Sequence, residues 1–155
     1  MGARLSHREG PDKSPTLRTL RKHWRDCSMT KRQSMDPPGH PMHRQPIPTV
    51  SRVGNMIFSA NISGMDLATG EVPSEPERQI ANAFANMKAA VEAAGGTLEN
   101  IGKLSVSLKD RSMRDVVNKY WLEFFPDEKS RPVRHTAGGP ASPEFIVQLE
   151  FIAVL

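Results

Sequence analysis

From residue 46 onward the apolar positions recur with a period that changes along the chain. Val50 and Val53, then Met56, Phe58 and Ile62, flank Gly54-Asn55. Those two residues tolerate the positive φ of a tight turn, so VSRVGNMIFSANIS reads as a β-hairpin. ATGEV at 68–72 marks a second turn around Gly70. The period then becomes helical. Ile80, Phe84, Met87 and Val91 recur on one face, with Ala81, Ala83, Ala90 and Ala94 beside them. Ser74-Glu75-Pro76-Glu77 reads as a capping box with proline in the first turn, and Gly95-Gly96 as the stop. Ile101–Leu108 alternates Leu104, Val106 and Leu108 against Lys103, Ser105 and Ser107, the pattern of a half-buried strand. Lys109-Asp110-Arg111 turns the chain, and Ser112-Met113-Arg114-Asp115 reads as a second helix start. Val117, Trp121 and Phe124 form that helix's buried stripe, with Tyr120 alongside and Pro126-Asp127 as its end. After a short segment through Arg131–Thr136 and a Gly138-Gly139-Pro140 loop comes a closing strand, Phe145 to Val154. Phe145, Val147, Leu149 and Phe151 share one of its faces; Ile146, Gln148, Glu150 and Ile152 share the other.

The order is ββαβαββ. Alternating strands and helices predict an α+β domain with a mixed sheet, at least one parallel pair, and both helices on one face. The opposite face mixes Ser59, Asn61, Ser105 and Gln148 with apolar residues, so we expect another subunit to cover it.

Charge divides the chain in two. Residues 1–45 hold ten of the 21 Lys/Arg and four of the 17 Asp/Glu, so the remaining 110 residues are slightly acidic although the whole carries +4. A basic domain would point to nucleic acid; here the basic charge sits in the leader, and nucleic acid is not the expected partner. We read 1–45 as a basic leader, disordered or an over-extended start with Met35 or Met42 as the beginning, and 46–155 as the domain. An Arg-rich transit peptide and a functional basic arm are the other readings of the leader. Its Leu17, Leu20 and Trp24 make one short amphipathic stripe. His7, His23, His40 and His43 lack metal-ligand spacing with Cys or carboxylate partners, so no metal site is expected. Cys27 is the single cysteine, which excludes an internal disulfide framework and fits a reducing compartment. No apolar run is long enough to span a membrane. The expected location is the cytoplasm, or the mitochondrial matrix if the leader is a transit peptide.

The chemistry centres on Arg134, flanked by Pro132 and His135. A permanent cation with a planar fork suits a small carboxylate. Around it, VGNMIFSANISGMDLATGEVPSEPERQIANAFANMKAAVEAAGGTLENIGKLSVSLKD, then VNKYWLEFF, PVRHT and QLEFIAVL, resemble the Rid/YjgF family of reactive intermediate deaminases, older label L-PSP endoribonuclease. The likeness covers about residues 48–155. It implies a chorismate-mutase-like fold and a homotrimer with clefts between subunits. For the best-studied branch it implies hydrolysis of small 2-imino or enamine acids to 2-keto acids and ammonia, without metal or cofactor. The family's carboxylate-clamping arginine matches Arg134 in Pro132-Val133-Arg134, with Arg131 as the rival. The family's strand serine matches Ser59, followed here by Ala60 and Asn61, and its second-helix asparagine matches Asn118. Two positions depart. The tyrosine before the first strand is Ile47, and the water-holding glutamate of the last strand is Gln148, with Glu150 two residues on.

A bound 2-imino acid needs an anchor for its carboxylate, a positioned water and a route for protons. Arg134 and Asn118 are the expected substrate-binding residues, Ser59 binds substrate or water, and Gln148 and Glu150 complete the catalytic set. Gln148 can orient a water but cannot take its proton; Glu150 or His135 can. The alternative is a trimeric module of the same fold that binds a small carboxylate with weak or no deaminase activity. A ribonuclease is the third reading, opposed by the acidic domain. A chorismate mutase rests on fold analogy alone.

Overall fold

In the structure, a computed structural model, residues 31–40, 45–139 and 142–155 are described. Leu17, Leu20, Trp24, His7, His23, His43, Cys27, Met42 and Pro140 lie outside the described residues.

The strands are β1 (Gln33–Met35), β2 (Val50–Val53), β3 (Met56–Ser59), β4 (Ile62–Ser63), β5 (Ile101–Leu108), β6 (Val133–Gly138) and β7 (Val147–Val154). The helices are α1 (Pro76–Ala93) and α2 (Arg114–Phe124). The strands form one mixed sheet in the order β1-β2-β3-β7-β5-β6, with β4 continuing beside β7. The expected parallel pair is β5 with β6; α2 is the crossover between them. The two helices pack together, and α1 lies on β7 and β4. The core is the layer between helices and sheet: Ile80, Phe84, Met87 and Val91 from α1 against Leu104, Val106, Val147, Leu149, Phe151 and Ile57. The α+β fold with both helices on one sheet face is as the residue pattern predicts.

Several local expectations are corrected. β1 lies within the stretch read as leader and pairs antiparallel with β2. Asp36 Oδ1 fastens it by accepting from both the N–H and the hydroxyl of Thr49, at 2.7 and 2.8 Å. Gln33-Ser34-Met35 has no apolar alternation, so the sequence carried no strand signal there. In the hairpin only Gly54 takes positive φ; Asn55 does not. Ile57, not Met56 or Phe58, enters the core, because pairing with Ala153 sets the register of β3.

Neither expected capping box forms. Pro76 occupies the first helical position of α1 and holds Glu75 extended, which leaves Ser74 one residue too early to cap. Before α2 the acceptor is Asp110, whose Oδ1 takes the Ser112 N–H at 2.8 Å and starts a 3₁₀ turn over Arg111–Met113. The end of α1 is as expected. Gly95 adopts φ 87°, its N–H reaches the Glu92 carbonyl, and the Gly96 N–H reaches the Val91 carbonyl, the paired bonds of a Schellman stop. The closing strand starts at Val147; the Phe145 N–H bonds to the Ser142 carbonyl in a turn. Buried Gln79 holds that turn region to α1. Its amide donates to the carbonyls of Pro73 and Glu144 and accepts from the Ile146 N–H at 2.9 Å.

The face of the sheet away from the helices is uncovered in the protomer. It carries Met56 (39% exposed), Phe58, Ile152 and Val154 in adjacent register, and Val133 (68% exposed) on the edge strand.

Candidate anion site at the β6 edge

Arg134 sits on the edge strand β6, paired with Leu104 of β5, which pairs in turn with Phe151 of β7. Leu104 and Phe151 are core residues, so this row faces the helices. The arginine therefore emerges beside α2 rather than on the open face. Two α2 side chains hold it. Asn118 Oδ1 accepts from Nη2 at 2.8 Å, and the guanidinium carbon lies 4.8 Å from the centre of the Trp121 ring. Trp121 is itself fixed by Phe125, ring centres 4.8 Å apart. A hydrogen bond at one edge and an aromatic face beneath immobilise a planar cation.

The site is electrically incomplete. Arg134 Nη1 is buried without a hydrogen-bond partner, and no carboxylate pairs with the guanidinium among the described residues. Burial, followed by the nearby charge of Arg114, pushes its pKa below the usual arginine value. Both effects disfavour the charged form, and the opposite charge of an arriving anion would offset them.

Arg131, the rival anchor, is occupied elsewhere. Its Nε donates to the Phe125 carbonyl at 3.0 Å and its Nη2 to the Pro126 carbonyl at 3.2 Å. It satisfies the carbonyls past the C-terminus of α2, a structural role.

The remaining sequence candidates do not gather around Arg134 in one protomer. Ser59, expected to point outward, is buried. Between Phe58↔Ile152 and Ile62↔Leu149, four steps on one side face three on the other. That break strips the Phe151 N–H of a ladder partner, and Ser59 Oγ accepts from it at 2.8 Å. Ser59 lies three inter-strand steps from Arg134, about 14 Å at the usual strand spacing. Gln148 and Glu150 belong to the open face of β7. Gln148 is buried (8% exposed) between Ser63 and Ser107, while Glu150 is exposed in one row with Ser105 and His135. Ile47 is 47% exposed near the start of β2. Of the predicted binding pair, Arg134 and Asn118 do meet. The sequence places Trp121 in the buried stripe of its helix and gives it no part in the site; Arg134 becomes its neighbour through the parallel crossover, which spacing does not encode.

Sheet, helices and edge cation define a small α+β protein with a guanidinium held at the edge of its sheet. The sequence model of endoribonuclease L-PSP matches residues 43–155, and the chain belongs to this family, the YjgF/Rid family. Among its relatives is a 2-iminobutanoate/2-iminopropanoate deaminase of Dermatophagoides farinae, 32% identical over 120 residues that cover 74% of this chain and 92% of that one. The crystal structure of RidA from a Psychrobacter species superposes with TM-score 0.72 at 28% identity, covering 79% of this chain and 99% of that one. That of TdcF from Escherichia coli, solved with bound serine, gives 0.72 at 25% identity, covering 79% and 98%.

Proposed function

We propose that the protein hydrolyses small 2-imino acids, and their enamine tautomers, to 2-keto acids and ammonia. The observation that carries this reading is the Arg134 guanidinium, gripped by Asn118 and Trp121 yet left with a buried N–H and, among the described residues, no counter-ion. It takes the substrate carboxylate. The naming of the mite relative as an imino-acid deaminase and the serine bound to TdcF support a ligand of amino-acid size.

The catalytic groups come from two protomers. Arg134 faces the helix side at an exposed edge, whereas Gln148 and Glu150 lie on the open face. One sheet cannot turn both toward one small molecule. A homotrimer, in which the edge of one protomer meets the open face of the next, covers Met56, Phe58 and Val154 and brings the sets together. Gln148 orients a water through its amide. The water oxygen attacks the iminium carbon, and its proton passes to Glu150. The resulting carbinolamine expels ammonia as Glu150 returns that proton to nitrogen and takes the hydroxyl proton in its place; the C=O bond of the keto acid forms, and the second proton leaves with ammonia as ammonium. Ser59 still has its hydroxyl hydrogen to donate while its oxygen holds Phe151. Asn118 is a positioning residue for Arg134. Neither metal nor cofactor takes part in these steps. We place the work in the cytoplasm, a reducing compartment that suits a chain with the single cysteine Cys27.

Gln148 and Ile47, where deaminases of the family have glutamate and tyrosine, favour a second reading: a trimer that binds a small carboxylate without turnover. The test generates 2-iminobutanoate in situ with an amino-acid oxidase and follows its loss against semicarbazide trapping. Acceleration that Arg134→Ala abolishes supports hydrolysis. No acceleration, with saturable binding of 2-oxobutanoate, supports the binding module.

A further inference from the structure

The face of α2 that grips Arg134 carries a second cation. Arg114, Asn118 and Trp121 stand at i, i+4 and i+7, the spacing that lines up three side chains along a helix. Asn118 and Trp121 both touch the Arg134 guanidinium, so the line is aimed at it. Arg114, the exposed member of that line, lies near enough for its charge to weaken Arg134's hold on its proton. Neither arginine has an acidic partner within ion-pair distance among the described residues. Nearby acids are turned to other tasks. Asp110 accepts from the Ser112 N–H, and Glu77 pairs with Lys119 at 2.7 Å. Asp115 follows Arg114 in the chain, about 100° further round the helix. Two like charges side by side without a counter-ion repel, and a single bound carboxylate offsets only one of them.

We propose that Arg134 and Arg114 form a two-point anion site, and that the preferred substrate is therefore a 2-imino acid with a second carboxylate in a short side chain. This deepens the imine-hydrolysis reading and rests on it. Arg134 takes the carboxylate next to the imine. Arg114 stands one turn of α2 before Asn118, a rise of about 6 Å, and meets the side-chain carboxylate of a four- or five-carbon diacid. The neighbouring Arg111 stands three residues further back, in the preceding 3₁₀ turn, and it is the charge of Arg114 that weighs on Arg134.

The experiment uses the full chain and compares 2-iminosuccinate and 2-iminoglutarate, made in situ from aspartate and glutamate by oxidases, with 2-iminopropanoate. The diacids are expected to show kcat/KM at least about tenfold higher. Arg114→Gln lowers that ratio about tenfold, whereas Arg111→Gln, the same change of net charge, leaves the ratio in place; circular dichroism checks that both fold. Equal kcat/KM for diacid and monoacid, or equal loss in the two variants, overturns the two-point site and leaves imine hydrolysis standing. Should no imine be accelerated, calorimetry of 2-oxoglutarate against 2-oxobutanoate decides the matter. A diacid preference lost in Arg114→Gln keeps the site while the deaminase reading falls; no preference ends both.

Discussion

Replacing Arg134 with methionine separates anchoring from folding. The substitution removes one charge-assisted hydrogen bond to Asn118, worth about 1.5–3 kcal/mol, and a cation–π contact of about 0.5–2 kcal/mol. It also removes a buried N–H without a partner, which costs about 1–3 kcal/mol in the wild type, and the repulsion from Arg114. A methionine thioether against the Trp121 ring returns about 0.3–1.5 kcal/mol. These contributions nearly cancel, so the stability of Arg134→Met should lie within about 2 kcal/mol of the wild type. At about 4 °C per kcal/mol for a domain of this size, Tm should move by less than about 8 °C in either direction. Activity should not cancel in this way. Losing a two-bond carboxylate clamp, about 3–6 kcal/mol in all, lowers kcat/KM for any 2-imino acid by about 10²- to 10⁴-fold. Differential scanning calorimetry and the trapping assay read the two quantities on one preparation. A drop in Tm beyond about 12 °C with kcat/KM reduced less than tenfold would refute the argument, since it would make the guanidinium a structural group and not an anchor.

Three further outcomes follow from the packing. Ser59→Ala leaves the buried Phe151 N–H without an acceptor and should destabilise the protein by about 1–3 kcal/mol in urea unfolding; a change below about 0.5 kcal/mol would show that the β3–β7 break is satisfied by other means. Gly64→Ala would set a Cβ 1.9 Å from the Gln79 carbonyl oxygen of α1. Helix and strand must then separate, and we expect a loss of about 3 kcal/mol, with wild-type unfolding behaviour as the contrary result. His40 is half-buried with neither ring nitrogen bonded, and desolvation, partly opposed by Asp36, lowers its pKa below the ordinary value. The unfolded chain therefore binds a proton at higher pH than the folded one. The stability this neutral ring contributes is complete above about pH 6.5 and is lost as pH falls toward the folded value. Hydrogen-exchange protection factors at residues 33–36, with the intrinsic base-catalysed rate divided out, should fall between pH 7.5 and pH 5.5 in the wild type but less in His40→Phe, and a profile identical in both would set the idea aside.

Periodicity alone determined most of the fold. Ile80, Phe84, Met87 and Val91 repeat at helical spacing, and Leu104, Val106 and Leu108 alternate, because one face of each element must leave water; that constraint is written locally. The Schellman stop at Gly95-Gly96 was legible for the same reason, since it needs only a residue free to take positive φ. The cation of Arg134 and its Asn118 partner could be named from the chain, because charge and hydrogen-bonding capacity belong to the residue itself.

What the sequence could not decide was which groups meet. Ser59 became the acceptor for Phe151, ninety-two residues away, because a one-residue mismatch between β3 and β7 orphaned an N–H, and registers are settled by whole-sheet packing. Arg131 and Arg134 look equivalent as guanidinium groups; the end of α2 claims the first and the face of α2 holds the second. Arg134 and Glu150 fell on opposite sides of the sheet because the parallel crossover through α2 fixed the register of β6 against β5, and a shift of one residue would have reversed the outcome. Side-chain chemistry is carried by the chain, but proximity and facing are created only when the sheet closes its ladder.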